Sequence, residues 1–142
     1  MNISINYKNI YELFSNGSLI LDKSNINFKE KIKDSNIPNN FGVYIFYKNI
    51  KSYENIIYIG KAGEISTFGD KKAQGLQKRL TNTRDNKSVN SYFQELFDFD
   101  IDKIIIEYFE IDQNFIPAYI EACLIQEYYM KNNKLPILNK SF

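Results

Sequence analysis

Histidine and tryptophan are absent from the 142 residues of this chain, and Cys123 is its single cysteine. One cysteine cannot form an internal disulfide, and a chain without histidine cannot use the imidazole chemistry of serine-type triads or of most zinc sites. Charge of one sign is also lacking, because 18 basic and 17 acidic residues leave a net charge of +1. Any chemistry must therefore come from Tyr, Lys, Arg, Asp or Glu side chains, and the near-zero net charge weakly disfavours nucleic-acid binding through bulk positive charge.

Long apolar runs are absent as well. No segment approaches the roughly 20 apolar residues that a membrane span requires, and residues 1–6 have neither the basic start nor the apolar stretch of a signal peptide. We therefore expect a cytoplasmic protein with no membrane partner. The length is that of one compact domain that can bury a core without disulfide or metal.

The clearest structural pattern is a pair of apolar, β-prone runs at residues 41–47 and 56–62, joined by a short polar segment typical of a hairpin loop. Residues 103–110 form a third run, and Pro117 stands where the first residue of a helix reaching about Asn132 is expected. Residues 7–14 have a helical pattern that we expect Gly17 to end as a left-handed cap. These patterns predict a small α/β domain with a short antiparallel sheet of about three strands, flanked by helices.

Glu121 is an acid on an apolar helix face. Its neighbours three and four residues away are Pro117, Ala118, Leu124 and Ile125, none of which can pair with a carboxylate. Removing an unpaired carboxylate from water costs several kcal/mol. Glu121 is therefore expected to be protonated, to have a partner remote in sequence, or to bind a cation.

Two tyrosines and one arginine complete the pattern. Tyr44 and Tyr58 each lie close to a glycine, and pairing of the two strands would place both rings on one face of the sheet. Arg79 lies in a short predicted helix, and its guanidinium can hold two phosphate oxygens at once.

These motifs resemble those of the GIY-YIG nuclease family. Gly42-Val43-Tyr44 stands in place of the first signature and Tyr58-Ile59-Gly60 matches the second, with Arg79, Glu121 and Asn139 following in the family's order. The resemblance covers residues 41–139. It implies a GIY-YIG-type nuclease domain at residues 41–142 and an N-terminal extension, residues 1–40, packed on or near the core.

The resemblance also implies roles for individual residues. Tyr44 or Tyr58 would accept a proton from the attacking water, with the choice between them open, and Lys61 would lower the pKa of a tyrosine by its nearby charge. Arg79 would hold the scissile phosphate and stabilise the transition state. Many family members carry histidine or tyrosine one turn after the arginine, where this chain has Thr83.

The remaining implied roles concern the metal and its surroundings. Glu121 would bind a single Mg²⁺ or Mn²⁺, and Asn139 would orient neighbouring groups by hydrogen bonds. Lys87 and Tyr92 are the candidates to substitute for the histidine or tyrosine that is missing at Thr83.

A basic cluster occupies the middle of the chain and is predicted to contact nucleic acid, although a solvated helix face is the favoured interpretation where nothing else points to phosphate. Its members are Lys71, Lys72, Lys78, Arg84 and Lys87.

The sequence thus predicts a monomeric, metal-dependent DNA endonuclease. Two alternatives stay open: a domain that keeps the fold without turnover and binds nucleic acid or protein, and a nuclease that acts on RNA.

Overall fold

The structure is a computed structural model, and it describes residues 4–25, 27–65, 71–72, 75–112 and 114–141. Its main element is a four-stranded antiparallel sheet in the order β1-β6-β2-β3. The strands are β1 (Asn16–Asp22), β2 (Gly42–Lys48), β3 (Ile56–Ala62) and β6 (Lys103–Glu110). A small separate hairpin pairs β4 (Glu64–Ile65) with β5 (Lys71–Lys72).

Five α-helices accompany the sheet in the described residues: α1 (Ile10–Leu13), α2 (Phe28–Asp34), α3 (Leu76–Thr81), α4 (Val89–Phe97) and α5 (Pro117–Asn132). Pro117 begins α5, where its missing N–H costs no hydrogen bond, and Asn133 ends it in a left-handed conformation. None of these helices combines the length and apolar character needed to cross a membrane.

Side chains on the two faces of the sheet form two separate cores. On one face, aromatic and aliphatic residues of α2, α3 and α4, among them Phe28, Leu80 and Phe93, pack against Tyr44 and Phe46. The opposite face carries α1 and α5 and a second set of side chains, including Ile10, Ile45, Ile59, Phe109 and Leu124. The domain is therefore a three-layer α/β/α sandwich, a finer description of the predicted α/β class.

The sheet has four strands rather than about three, and the added one comes from the N-terminal segment. β1 pairs along its whole length with β6, from Asn16 opposite Phe109 to Asp22 opposite Lys103. The helix expected over residues 7–14 is shorter, and Gly17 does not cap it. Gly17 lies inside β1 instead, where an added Cβ would collide with the ring of Tyr108.

Candidate active site

The predicted hairpin forms between β2 and β3 and places both tyrosines on one face. Tyr44 lies opposite Gly60 and Phe46 opposite Tyr58, so the tyrosines are diagonal neighbours with ring centroids 6.0 Å apart. Glycine is needed at position 60 because a Cβ there would stand 2.6 Å from Cζ of Tyr44. This close approach lets the Tyr44 ring lie flat over β3.

A cavity of about 360 Å³ opens beside β3, the edge strand of the sheet. Four of the six predicted catalytic residues line it: Tyr58, Arg79, Glu121 and Asn139. They come from β3, α3, α5 and the segment that follows α5. Tyr44 is not in the lining, because it lies behind Tyr58 and is 0% exposed.

Arg79 reaches the cavity because the apolar positions of α3 face the other way. Leu76 and Leu80 are fully buried in the core, whereas Arg79 is half-buried and Lys78 is exposed. The charge of Arg79 acts on the carboxyl of Glu121 and on the hydroxyl of Tyr58. A guanidinium at this point is therefore electrostatically coupled to both the acid and the tyrosine.

Glu121 is half-buried, and no hydrogen bond or ion pair reaches its carboxylate from the described residues. Burial raises the pKa of this carboxyl from its ordinary value of 4.5 to about 7, while the charges of Lys61 and Arg79 act in the opposite direction. Glu127 on the same helix provides the contrast, since Lys131, one turn later, pairs with it at 3.0 Å.

Asn139 uses its side-chain amide to mimic a strand. Its Oδ1 accepts from the backbone N–H of Ile59 at 3.0 Å, and its Nδ2 donates to the carbonyl of Ile59 at 2.9 Å. The backbone N–H of Leu138 also donates to the carbonyl of Ile57, at 2.9 Å. Asn139 therefore holds the residues after α5 against the edge of β3, and so forms one wall of the cavity.

Lys61 lies on the other face of β3 from Tyr58, opposite Val43. Its Nζ is 3.9 Å from Glu64, and its charge acts on Glu121. The cations that act on the pKa of Tyr58 are Arg84 and Arg79. The role that the resemblance implies for Lys61, lowering the pKa of a tyrosine, stays a prediction, and these two arginines are further cations that act on Tyr58.

The predicted nucleic-acid contacts have different positions. Lys71 and Lys72 form β5, while much of the loop at residues 63–74 lies outside the described residues. Lys87 is paired with Glu95 at 2.5 Å. Arg84, expected on the surface, is instead 7% exposed and enclosed by aromatic rings.

Several residues that line the cavity were not predicted as part of the active site. Lys140 and Asp85 line the rim and pair with each other at 3.2 Å, and Arg84, predicted as a nucleic-acid contact, lines the interior. Tyr92, considered as a substitute at Thr83, also lies in the lining, together with Thr83 itself, which is exposed. Three cationic and two acidic side chains thus face one small space, which leaves an excess of positive charge suited to a phosphate.

The chemistry of its lining, rather than its size, distinguishes this cavity. Three larger ones, of about 520, 1130 and 410 Å³, lie elsewhere, and the lining of the last includes Glu95 and no cation. The first contains two acids and no cation, and the basic residues of the second include Lys131, which Glu127 already neutralises. None of the three combines arginine with an unpaired acid.

The donor set at Glu121 limits what metal chemistry is possible. No group of three or more Cys, Asp or Glu side chains that could hold a metal occurs in the part of the chain that the structure describes. Mg²⁺ is commonly held by one or two carboxylates together with water and substrate phosphate. A single half-buried carboxylate facing a cavity fits that kind of site and does not fit an all-protein metal cage.

Fold and cavity together define a small α/β protein with a charged, tyrosine-walled site at a sheet edge. Comparisons of the chain with protein-family models, curated proteins and solved structures gave no match.

Proposed function

We propose that the protein is a metal-dependent endonuclease that hydrolyses phosphodiester bonds of DNA in the cavity beside β3. The observation that carries this proposal is the convergence of Tyr58, Arg79 and Glu121 on one cavity, although they are up to 63 positions apart in sequence. A base, a phosphate clamp and an oxygen ligand for a hard cation are the groups that phosphodiester hydrolysis requires.

Tyr58 rather than Tyr44 is the tyrosine placed to touch substrate, because Tyr58 lines the cavity and Tyr44 is fully buried behind it. In its phenolate form, Tyr58 would take a proton from the attacking water. The resulting hydroxide would attack phosphorus, and the bond from phosphorus to the leaving oxygen would break. That oxygen would then take a proton from solvent.

Arg79 would hold two oxygens of the scissile phosphate and stabilise the charge that develops on them. Glu121 would hold Mg²⁺ or Mn²⁺, which in such sites neutralises charge on the leaving oxygen. Asn139 would act indirectly, since both polar ends of its amide already bind the backbone of Ile59. Its contribution is to fix the wall that faces the phosphate.

The DNA-contacting surface would include exposed Lys78, one residue before Arg79 on α3. Lys71, Lys72 and Lys87 remain candidates for phosphate contacts outside the cavity. Such contacts carry no sequence information.

A second candidate is a domain that binds nucleic acid or protein without turnover. Burial and the neighbouring Tyr44 raise the pKa of Tyr58 to about 12 in the ligand-free protein. The charges of Arg84 and Arg79 lower this pKa, and it stays raised despite them. A neutral hydroxyl cannot accept a proton, so this observation favours binding without cleavage.

Incubation of the purified protein with supercoiled plasmid in Mg²⁺, Mn²⁺ or EDTA tests the proposal, with single-stranded RNA of matched sequence as a parallel substrate. We expect a monomer by size-exclusion chromatography that produces nicked circles before linear DNA, because one such site acts on one strand at a time. No cleavage with retained DNA binding would identify the binding domain, and cleavage of RNA alone would identify the RNA nuclease.

A further inference from the structure

Arg84 owes its inward position to a tight turn after α3. The backbone N–H groups of Arg84 and Lys87 each donate to the other residue's carbonyl, at 2.9 and 2.8 Å. Asp85 and Asn86 occupy the two central positions with φ of 50° and 64°. Two consecutive positive φ values are the mark of the type I′ turn, which Asp and Asn tolerate better than most residues. The turn reverses the chain and returns the Arg84 side chain towards the sheet.

The guanidinium then lies inside a box of aromatic rings. Its Cζ is 5.3 Å from the ring centroid of Tyr44, 5.4 Å from Phe46, 5.7 Å from Tyr58 and 5.6 Å from Tyr92. Such distances allow a cation to interact with the negative face of each ring. The box draws its members from β2, β3 and α4, so the charge is fixed between elements that cannot move independently.

Hydrogen bonding inside this box is incomplete. Nη2 donates to the Tyr44 hydroxyl at 3.0 Å, while Nε is buried and has no partner in the described part of the chain. No carboxylate among the described residues pairs with Arg84, because Asp85 is paired with Lys140. Arginine stays charged in proteins. A buried cation is therefore held beside tyrosine hydroxyls without an acidic counter-ion.

We propose that Arg84 is the positioning residue for the tyrosine base: it holds Tyr44 by a hydrogen bond and supplies the fixed positive charge beside which Tyr58 loses its proton. This inference rests on the proposed function, because it deepens the role of the same site. In the ionisation step the O–H bond of Tyr58 breaks, the proton passes through the open cavity to solvent, and the phenolate remains next to the guanidinium. No oxidant, reductant or further reactant is needed.

Arg84 is better suited to this role than the other charged groups around Tyr58. Those groups are Tyr44, Tyr92 and Arg79, with Asp85 acting on Tyr92 and Glu121 across the cavity. Arg79 is half-buried and would be occupied by the substrate phosphate. Arg84 is enclosed and keeps its position whether or not the phosphate is bound, so only its charge is constantly available to the phenolate.

The test uses full-length protein labelled with 3-fluorotyrosine and ¹⁹F NMR. Fluorination lowers the pKa of every tyrosine and brings the titration into a range where the fold is more readily kept. Tyr44→Phe and Tyr58→Phe assign the two resonances. Arg84→Met removes the charge, Arg84→Gln removes it but keeps a donor for Tyr44, and Arg84→Lys keeps a charge. Lys23→Met, at an exposed residue paired with Asp102, removes one charge elsewhere as the matched control.

We expect the ionisation midpoint of Tyr58 to rise by at least about one pH unit in Arg84→Met and Arg84→Gln, and to stay nearer to wild type in Arg84→Lys and Lys23→Met. If Arg84→Met does not fold, the ionisation midpoint of Tyr58 in Arg84→Gln provides the test. An unchanged midpoint in either folded neutral variant would overturn the proposal and leave Arg84 as a packing residue.

Cleavage is measured separately and gives an independent answer. If the protein cleaves plasmid, the alkaline rise of kcat/KM should move upward with the Tyr58 midpoint. A midpoint that shifts in a protein without nuclease activity would contradict the proposed function while supporting the charge role of Arg84. An active enzyme whose pH profile ignores Arg84 would contradict the role of Arg84 alone.

Discussion

Two clusters of tyrosines around a buried charge lie on opposite faces of the same sheet, and they are built differently. Glu107 is 1% exposed and accepts from the hydroxyls of Tyr11 at 2.7 Å and Tyr47 at 2.8 Å. Lys51 completes the cluster with an ion pair at 2.5 Å. Both carboxylate oxygens have partners, and the charge is neutralised.

The Arg84 cluster is open where the Glu107 cluster is closed. It has no acidic partner among the described residues, one guanidinium nitrogen without a hydrogen bond, and a cavity along one side. A buried charge is stable when it is paired and hydrogen-bonded, so a satisfied network points to structure and an unsatisfied one to a missing ligand or a reaction. Composition alone does not separate the two clusters.

The largest expected effect is on cleavage activity, at the cavity beside the Arg84 cluster. Glu121→Gln removes the charge of the proposed metal ligand with little change of shape, and should lower Mg²⁺-dependent cleavage by about a thousandfold or more. Plasmid nicking rates provide the measurement. Glu127→Gln makes the same change two turns later on α5, away from the cavity, and should retain activity. Equal loss in both variants would mean that α5 simply tolerates no such change.

At the Glu107 cluster the expected effect is on the stability of the fold. Glu107→Gln leaves Lys51 without its partner and weakens two buried hydrogen bonds, and we expect a loss of about 3 kcal/mol in the free energy of unfolding. Urea denaturation measures it. Below the unfolding transition the nicking rate should be unchanged. A loss under about 1 kcal/mol would show that the closed network contributes little to stability.

A smaller effect on stability is expected from Glu121→Gln. Its sign is opposite to that of Glu107→Gln, because this substitution should stabilise the fold. The pKa of Glu121 is raised by burial from 4.5 to about 7 in the folded protein, so between these values the folded state binds more protons than the unfolded chain. Stability therefore falls as pH rises through this window, and the loss is complete above pH 7. In EDTA, Glu121→Gln should match wild type near pH 4 and be more stable by about 1–3 kcal/mol at pH 8, allowing for partial exposure.

Addition of Mg²⁺ at pH 8 sharpens that measurement. A cation bound at Glu121 stabilises the folded wild type by mass action. The stability difference between wild type and Glu121→Gln at pH 8 should therefore become smaller. A difference that is the same at both pH values, or that Mg²⁺ leaves unchanged, would remove Glu121 from the metal site.

The smallest effect should come from Lys61. Because its charge lowers the pKa of Glu121 and acts from the other face of β3, Lys61→Met should raise the carboxyl pKa above about 7 and leave the Tyr58 titration in place. Carbon-13 NMR of the labelled glutamate carboxyl measures the pKa of Glu121, and fluorotyrosine NMR follows the titration of Tyr58. A shift in the pKa of Tyr58 instead would support the role that the resemblance implies for Lys61.

Much of this architecture follows from local sequence patterns. β6 occupies the predicted residues 103–110, and α5 begins at Pro117 and ends at Asn132 as predicted, because a continuous apolar run and an N-terminal proline are strong local signals. Of β1, only Leu19 to Leu21 forms an apolar run in the sequence. Its first residues, Asn16 to Ser18, have low strand propensity and are extended because β6 supplies their hydrogen bonds.

The structure brings four residues named from the sequence to one cavity, whereas the electrostatics around them could not be predicted. Glu121 stands out as an acid on an apolar helix face, and Tyr58, Arg79 and Asn139 stand out only through the resemblance in motif order. The burial of Arg84 depends on rings from three separate elements and on the turn at Asp85 and Asn86, so no local pattern reveals it. A lysine or arginine in a polar segment gives the same sequence signal whether it lies on the surface or inside an aromatic box.

The segment held by Asn139 also protects the sheet against other chains. An edge strand with unpaired N–H and C=O groups is a template onto which a strand of another molecule can add. On β3 the carbonyl of Ile57 accepts from the backbone N–H of Leu138, and both backbone groups of Ile59 bind the Asn139 side chain. An amide side chain can occupy an edge position without presenting a further edge of its own. The strand that carries Tyr58 is thereby kept open to a ligand in the cavity and shielded from strand addition at these two residues.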